Sequence, residues 1–105
     1  MQCFTESGRL ALPPEKEYKE THGKDLLCIT LYKTDQGYLF SVNLKAGLFI
    51  KSFYPHTNTL FFNTPSKALE AASNLVKNWA YNNRGLKRKL KPFTLLEYKQ
   101  LELDF

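Results

Sequence analysis

Five of the fifteen basic residues in this 105-residue chain fall within the eight positions of RGLKRKLK: Arg84, Lys87, Arg88, Lys89 and Lys91. Guanidinium and ammonium groups at that density either meet anions, phosphate esters above all, or keep a surface solvated. A second group alternates rings with charge. Phe49, Lys51 and Phe53 recur at period two in LFIKSF, which places them on one face of a strand. Leu48 and Ile50 then fall on the opposite, core-facing side. In that register Lys45 and Asn43 of the preceding strand share the face of Phe49 and Phe53, and Tyr32 adds a further ring. Rings beside ammonium groups on an open sheet suit single-stranded nucleic acid: bases stack, at roughly 1–3 kcal/mol each, and phosphates meet the cations. Such binding needs no hydrogen-bond code. The competing fate of the same face is burial under an arm, the C-terminal segment or a second subunit, and homodimerisation can cover part of it.

Other chemistries find no footing. The chain has no glycine-rich phosphate loop, no paired-carboxylate constellation and no nucleophile with an evident base, so no catalytic residue is assigned and an enzyme is not expected. His22 and His56 stand apart, each beside turn-forming residues, and are expected on surface loops. Cys3 and Cys28 lack the spacing of a disulfide framework or a zinc site, and Cys28 is expected to be a small buried strand residue. No cofactor or metal is expected. No apolar run reaches membrane-spanning length, and MQCFTESGRL lacks the basic-then-apolar order of a secretory signal, so a cytoplasmic protein is expected. The net charge of +5 and a pI near 9.3 favour anionic partners. Nucleic acid suits the cluster better than a membrane surface, because no amphipathic helix with exposed bulky residues accompanies it.

Which elements position these groups? Residues 1–25 read as an N-terminal arm: LALPP, a proline stop, then a charged connector, with Leu10 and Leu12 able to pair as an edge strand. LLCITLYK and YLFSVNLK are β-branched and aromatic runs joined by turn residues Asp35 to Gly37, which predicts a hairpin. KAG turns the chain into GLFIKSFY, Pro55 breaks it, and TLFF predicts a short fourth strand. Tyr38, Phe40, Val42 and Leu44 share one face of the second strand. In the helix that follows, Thr64 suits the N-cap, Pro65 the first helical position and Gly85 the C-terminal stop. Its apolar stripe is Leu69, Ala72, Leu75, Val76 and Trp79. The expected fold is α+β: a four-stranded antiparallel sheet followed by one long helix on one face, plus a short C-terminal helix or tail. Residues 26–85 form the ββββα domain, and 86–105 a basic linker and interaction tail. Thr94 and Glu97 have capping-box spacing, with Phe93 and Tyr98 placed as a hydrophobic staple, so a short helix can begin at Leu95.

Four strands and a helix, with a basic aromatic-bearing sheet, are similar in topology to Pur-type repeats and single-strand-binding transcriptional coactivators. The final six residues, QLELDF, resemble the hexapeptide by which bacterial replication and repair proteins bind the sliding clamp. Gln100, Leu101, Leu103 and Phe105 occupy its specified positions, and Glu102 stands where aspartate or serine is common. That resemblance implies that Gln100 hydrogen-bonds in a small subsite while Leu101, Leu103 and Phe105 enter an apolar groove on the clamp. The alternative is that these apolar residues dock on the protein's own core. The expectation is a small bacterial, plasmid or phage DNA-associated accessory protein. In it, Tyr32, Phe49 and Phe53 stack bases, and Lys45, Lys51, Arg84, Lys87, Arg88, Lys89 and Lys91 meet phosphates. The competing class is a protein-interaction module, an inhibitor or regulatory subunit without nucleic-acid binding. Salt dependence separates the two.

Overall fold

The structure, a computed structural model, describes residues 13–55, 60–81 and 83–96. Four strands, β1 (Lys16–His22), β2 (Asp25–Thr34), β3 (Gly37–Ala46) and β4 (Phe49–Phe53), form one antiparallel sheet in the order β1-β2-β3-β4. Helices α1 (Pro65–Ala80) and α2 (Arg84–Leu90) follow. The expected α+β class and antiparallel sheet are therefore present, with two differences in membership. KEYKETH, placed in the N-terminal arm, is strand β1. TLFF is reduced to a single bridge, in which Tyr38 and Phe62 exchange hydrogen bonds of 2.7 and 2.9 Å.

Each hairpin closes through two residues, since His22 pairs with Asp25, Thr34 with Gly37 and Ala46 with Phe49. Gly47 has a φ of 63°, a left-handed conformation that favours glycine. At Gly37 (φ 134°) a Cβ would lie 2.5 Å from the Phe62 carbonyl oxygen, so the bridge to Phe62 needs a glycine there.

The core lies between the sheet and the helices. Leu27, Ile29 and Leu31 of β2 and Phe40, Val42 and Leu44 of β3 pack beneath Ala68, Leu69, Ala72 and Val76 of α1, as the periodicity predicts. Leu75 and Trp79 flank them, partly buried. Thr64 caps α1, its hydroxyl accepting from the Lys67 N–H at 3.1 Å, and Pro65 opens the helix. The C-terminal stop differs from expectation. α1 ends at Ala80, and Asn83 caps a second helix by accepting from the Leu86 N–H. Gly85 lies inside α2, so the basic run is helix rather than linker.

Past α2, Phe93 is wholly buried and Leu96 nearly so, and residues 94–96 form a helical turn. That turn is capped from across the molecule. The Glu20 carboxylate of β1 accepts from the Thr94 N–H (2.8 Å), the Thr94 hydroxyl (3.1 Å) and the Leu95 N–H (2.9 Å). A carboxylate at a helix start fills orphan donors and opposes the positive end of the helix dipole. His22 belongs to this clasp rather than to a surface loop: its ring nitrogen bonds Glu20, and its ring meets Phe93 edge-on at 4.8 Å.

Burial acts to raise the Glu20 pKa. Hydrogen bonds from the Thr94 N–H, His22, the Leu95 N–H and the Thr94 hydroxyl outweigh it, so the group is held below the usual carboxylate range. A lowered folded pKa contributes stability above the unfolded value of 4.5, and that contribution is lost as pH falls through the folded pKa. Urea midpoints measured from about pH 7 to about pH 3 should therefore fall less steeply in Glu20→Gln than in the parent chain, and Glu20→Gln should start lower at neutral pH.

Candidate nucleic-acid interface

α2 is short, and its orientation is set by two leucines one turn apart. Leu86 and Leu90 are buried, which leaves Arg84, Lys87, Arg88 and Lys89 exposed, with Lys91 exposed just beyond the last turn. Lysines and an arginine in the last turn also complement the negative end of the helix dipole. Lys89 lies across the β3–β4 turn, where a Cβ on Gly47 would meet its Cε at 2.6 Å. Asp25 joins the same corner: one carboxylate oxygen accepts from the Gly47 N–H at 2.9 Å and the other lies 3.9 Å from the Lys89 ammonium. Arg84, Lys87, Arg88 and Lys91 form no ion pair with the described residues. The Lys87 ammonium stands 5.8 Å from the Tyr81 ring centroid, a distance at which cation–π attraction still operates.

The fold gathers a cation that sequence spacing did not. Lys77, near the end of α1, joins Lys87 and Lys91 around a groove floored by Ala80, Leu90, Phe93 and Leu96. In sequence Lys77 is only one polar residue on a helical face. The end of α1 and the start of α2 at Asn83 bring it beside the basic run, and that second helix start was hidden by reading Gly85 as a helix stop.

The ring-bearing strand is turned over relative to expectation. Ala46 pairs with Phe49, Leu44 with Lys51 and Val42 with Phe53, so Phe49, Lys51 and Phe53 project to the helix side. Phe53 packs on Phe40 with ring centroids 5.2 Å apart, and Phe49 lies against the core. Both rings are partly buried on the helix side, not on the open face expected for them. Lys51 is exposed on the helix side, its ammonium 5.3 Å from the Trp79 ring centroid. Leu48 and Ile50, expected in the core, are 103% and 70% exposed. The cause is a one-residue shift of phase. LFI offers apolar residues on both phases, and the two-residue turn at Gly47–Leu48 selects the one opposite to the expected.

Tyr32 and Lys45 do lie on the face away from the helices, with Leu39, Ser41 and Asn43. The middle of that face is closed: Leu39 is wholly buried, and Thr30 and Ser41 nearly so. The Tyr32 hydroxyl reaches the Ser41 hydroxyl at 3.2 Å, and Cys28 is half-buried on the same side. The predicted site residues therefore divide into a basic group around α2 and a smaller pair, Tyr32 and Lys45, on the far face. Gln100, Leu101, Leu103 and Phe105 lie outside the described residues, as do Cys3 and His56. No helix among the described residues is long and apolar enough to cross a membrane. No family model matches the chain, and neither a curated protein nor a solved structure matches it.

Proposed function

We propose that this protein is a non-enzymatic nucleic-acid-binding accessory protein that holds the phosphate backbone on the α2 surface and engages a bacterial sliding clamp through QLELDF. One observation carries the first half: Arg84, Lys87 and Arg88 on a helix that Leu86 and Leu90 fix against the core, and Lys91 just past it, are exposed and form no ion pair with the described residues. Lys77 and Lys89 extend the cationic surface to either side. Phosphates would be the main contacts, so counterion release would dominate the affinity. The stacking role expected of Phe49 and Phe53 has no place in this reading, because both rings pack on the helix side.

The clamp half rests on the hexapeptide and on where its tether is fixed. Phe93 and Leu96 are anchored in the core, and the four residues from Leu96 to Gln100 span at most about 14 Å of extended chain. A clamp-bound tail would thus keep the α2 cations close to the clamp. Calorimetric titration of a bacterial clamp with full-length protein should give micromolar binding that is lost when the chain ends at Lys99. A truncated protein that binds as before sinks the clamp assignment.

Exposed Leu48 and Ile50 beside β4, the last strand of the sheet among the described residues, favour the second reading, a protein-interaction module. Oligonucleotide titration separates the readings. Four engaged cations predict a slope of log K against log salt of about −3, a loss of roughly sixtyfold between about 50 and about 200 mM salt. Absence of oligonucleotide binding at moderate salt would leave the interaction module as the surviving reading.

A further inference from the structure

Toward β4 the face away from the helices opens. In register, Asn43 of β3 stands between Cys28 and Ser52, and Lys45 between Leu26 and Ile50. Tyr54, one residue past β4, continues the alternation of Ile50 and Ser52. Its side chain is tied down while 58% of its surface stays in solvent. The tie is specific: the Asn43 side-chain oxygen accepts from the Tyr54 hydroxyl at 2.7 Å and from the Ser52 hydroxyl at 2.8 Å. An amide oxygen has two lone pairs, so both are used. The two N–H donors of the same amide have no partner among the described residues.

The geometry points to a subsite for one base of a single-stranded nucleic acid, formed by Tyr54, Asn43 and Lys45. The inference rests on the α2 phosphate-binding reading and goes beyond it by naming the strand type and the bases preferred. A ring already held by its hydroxyl costs little further ordering when a base stacks on it. The Lys45 ammonium, exposed two residues along the same strand face, is placed for a phosphate. Ile50 beside it offers apolar surface to the next sugar or base. The route from α2 is short, because Lys89 lies across Gly47, two residues beyond Lys45.

Asn43 also sets a preference. An unoccupied asparagine pairs with adenine through one donor and one acceptor. Here the acceptor is engaged internally, so the site presents donors alone. Donors alone suit bases rich in carbonyl oxygens: thymine, uracil and guanine. A duplex keeps its bases stacked and cannot present one to Tyr54.

The test compares a fluorescent oligothymidine with a duplex of equal length, at one salt concentration, using the full chain. The parent protein should bind the single strand more tightly. Tyr54→Ala should lower single-strand affinity by roughly 5- to 150-fold, the range for losing one stacked base, with duplex affinity and thermal stability unchanged. Asn43→Asp retains the acceptor for Ser52 and Tyr54 but removes the donors, and should weaken oligothymidine at least tenfold. Titration with oligothymidine should also shift the Asn43 side-chain amide resonance.

Equal binding of both forms by the parent chain, or equal losses for both in Tyr54→Ala, overturns the subsite while leaving the α2 reading in place. Failure of the parent to bind either form overturns both. A Tyr54→Ala protein that binds both forms unchanged, yet loses a protein partner, would assign this face to protein recognition instead.

Discussion

Phe93→Ala is expected to lower the free energy of unfolding by about 3–5 kcal/mol, a large part of the stability of a domain this size. Phe93 has no exposed surface and sits where three parts of the chain meet: α2, β1 through the edge of His22, and the turn at 94–96. Its removal leaves a cavity that Leu90 and Leu96 can fill only in part. It also withdraws the surface on which the Glu20 clasp closes, so His22 and Thr94 lose their alignment with it. Urea unfolding would report the loss as a lower midpoint with little change of slope. A thermal midpoint would fall by roughly 12–40 °C at 4–8 °C per kcal/mol. A loss below about 1 kcal/mol would mean that residues 93–96 are not part of the cooperative unit.

The second large effect concerns binding. Replacing Arg84, Lys87, Arg88 and Lys91 together with glutamine should abolish most nucleic-acid affinity and flatten the salt dependence from a slope of about −3 toward zero. The fold should survive, because all four side chains are exposed and form no ion pair with the described residues. Leu86 and Leu90 still dock the helix, and glutamine is nearly as good a helix former as lysine or arginine. Lys89 is left unchanged in this variant because it lies against Gly47 and Asp25 at the corner of the sheet. Unchanged affinity in a folded quadruple variant would remove α2 from the binding surface.

How much of this was legible beforehand depended on how redundant each local signal was. α1 was legible because cap, proline and apolar stripe all agree from Thr64 to Trp79. The second and third strands were legible because LLCITLYK and YLFSVNLK flank clear turn residues. β1 was not, since KEYKETH carries charge on both phases and Tyr18 alone supplies an apolar side chain to the core. Charged edge strands of this kind guard against unwanted pairing, and that same property erases the hydrophobic alternation by which strands are found. β4 failed for the opposite reason: apolar residues on both phases left the register to a two-residue turn. At the candidate site, the α2 cations could be read from their density alone. Lys77 and Tyr54 could not, because only the packing of α2 beside the end of α1 and the side chain of Asn43 bring them into use.

The clasp on Glu20 has a consequence for the order of folding. The sheet is a chain of two-residue hairpins, so its pairings are local in sequence and can form fast. Glu20 and Thr94 are 74 positions apart, and their meeting waits on everything between them. Contacts of this kind form late, after the hairpins they depend on. A force applied beyond residue 96 would therefore be borne first by buried Leu96 and Phe93 together with the hydrogen bonds from Thr94 and Leu95 to one carboxylate, while the hairpins stay shielded behind them.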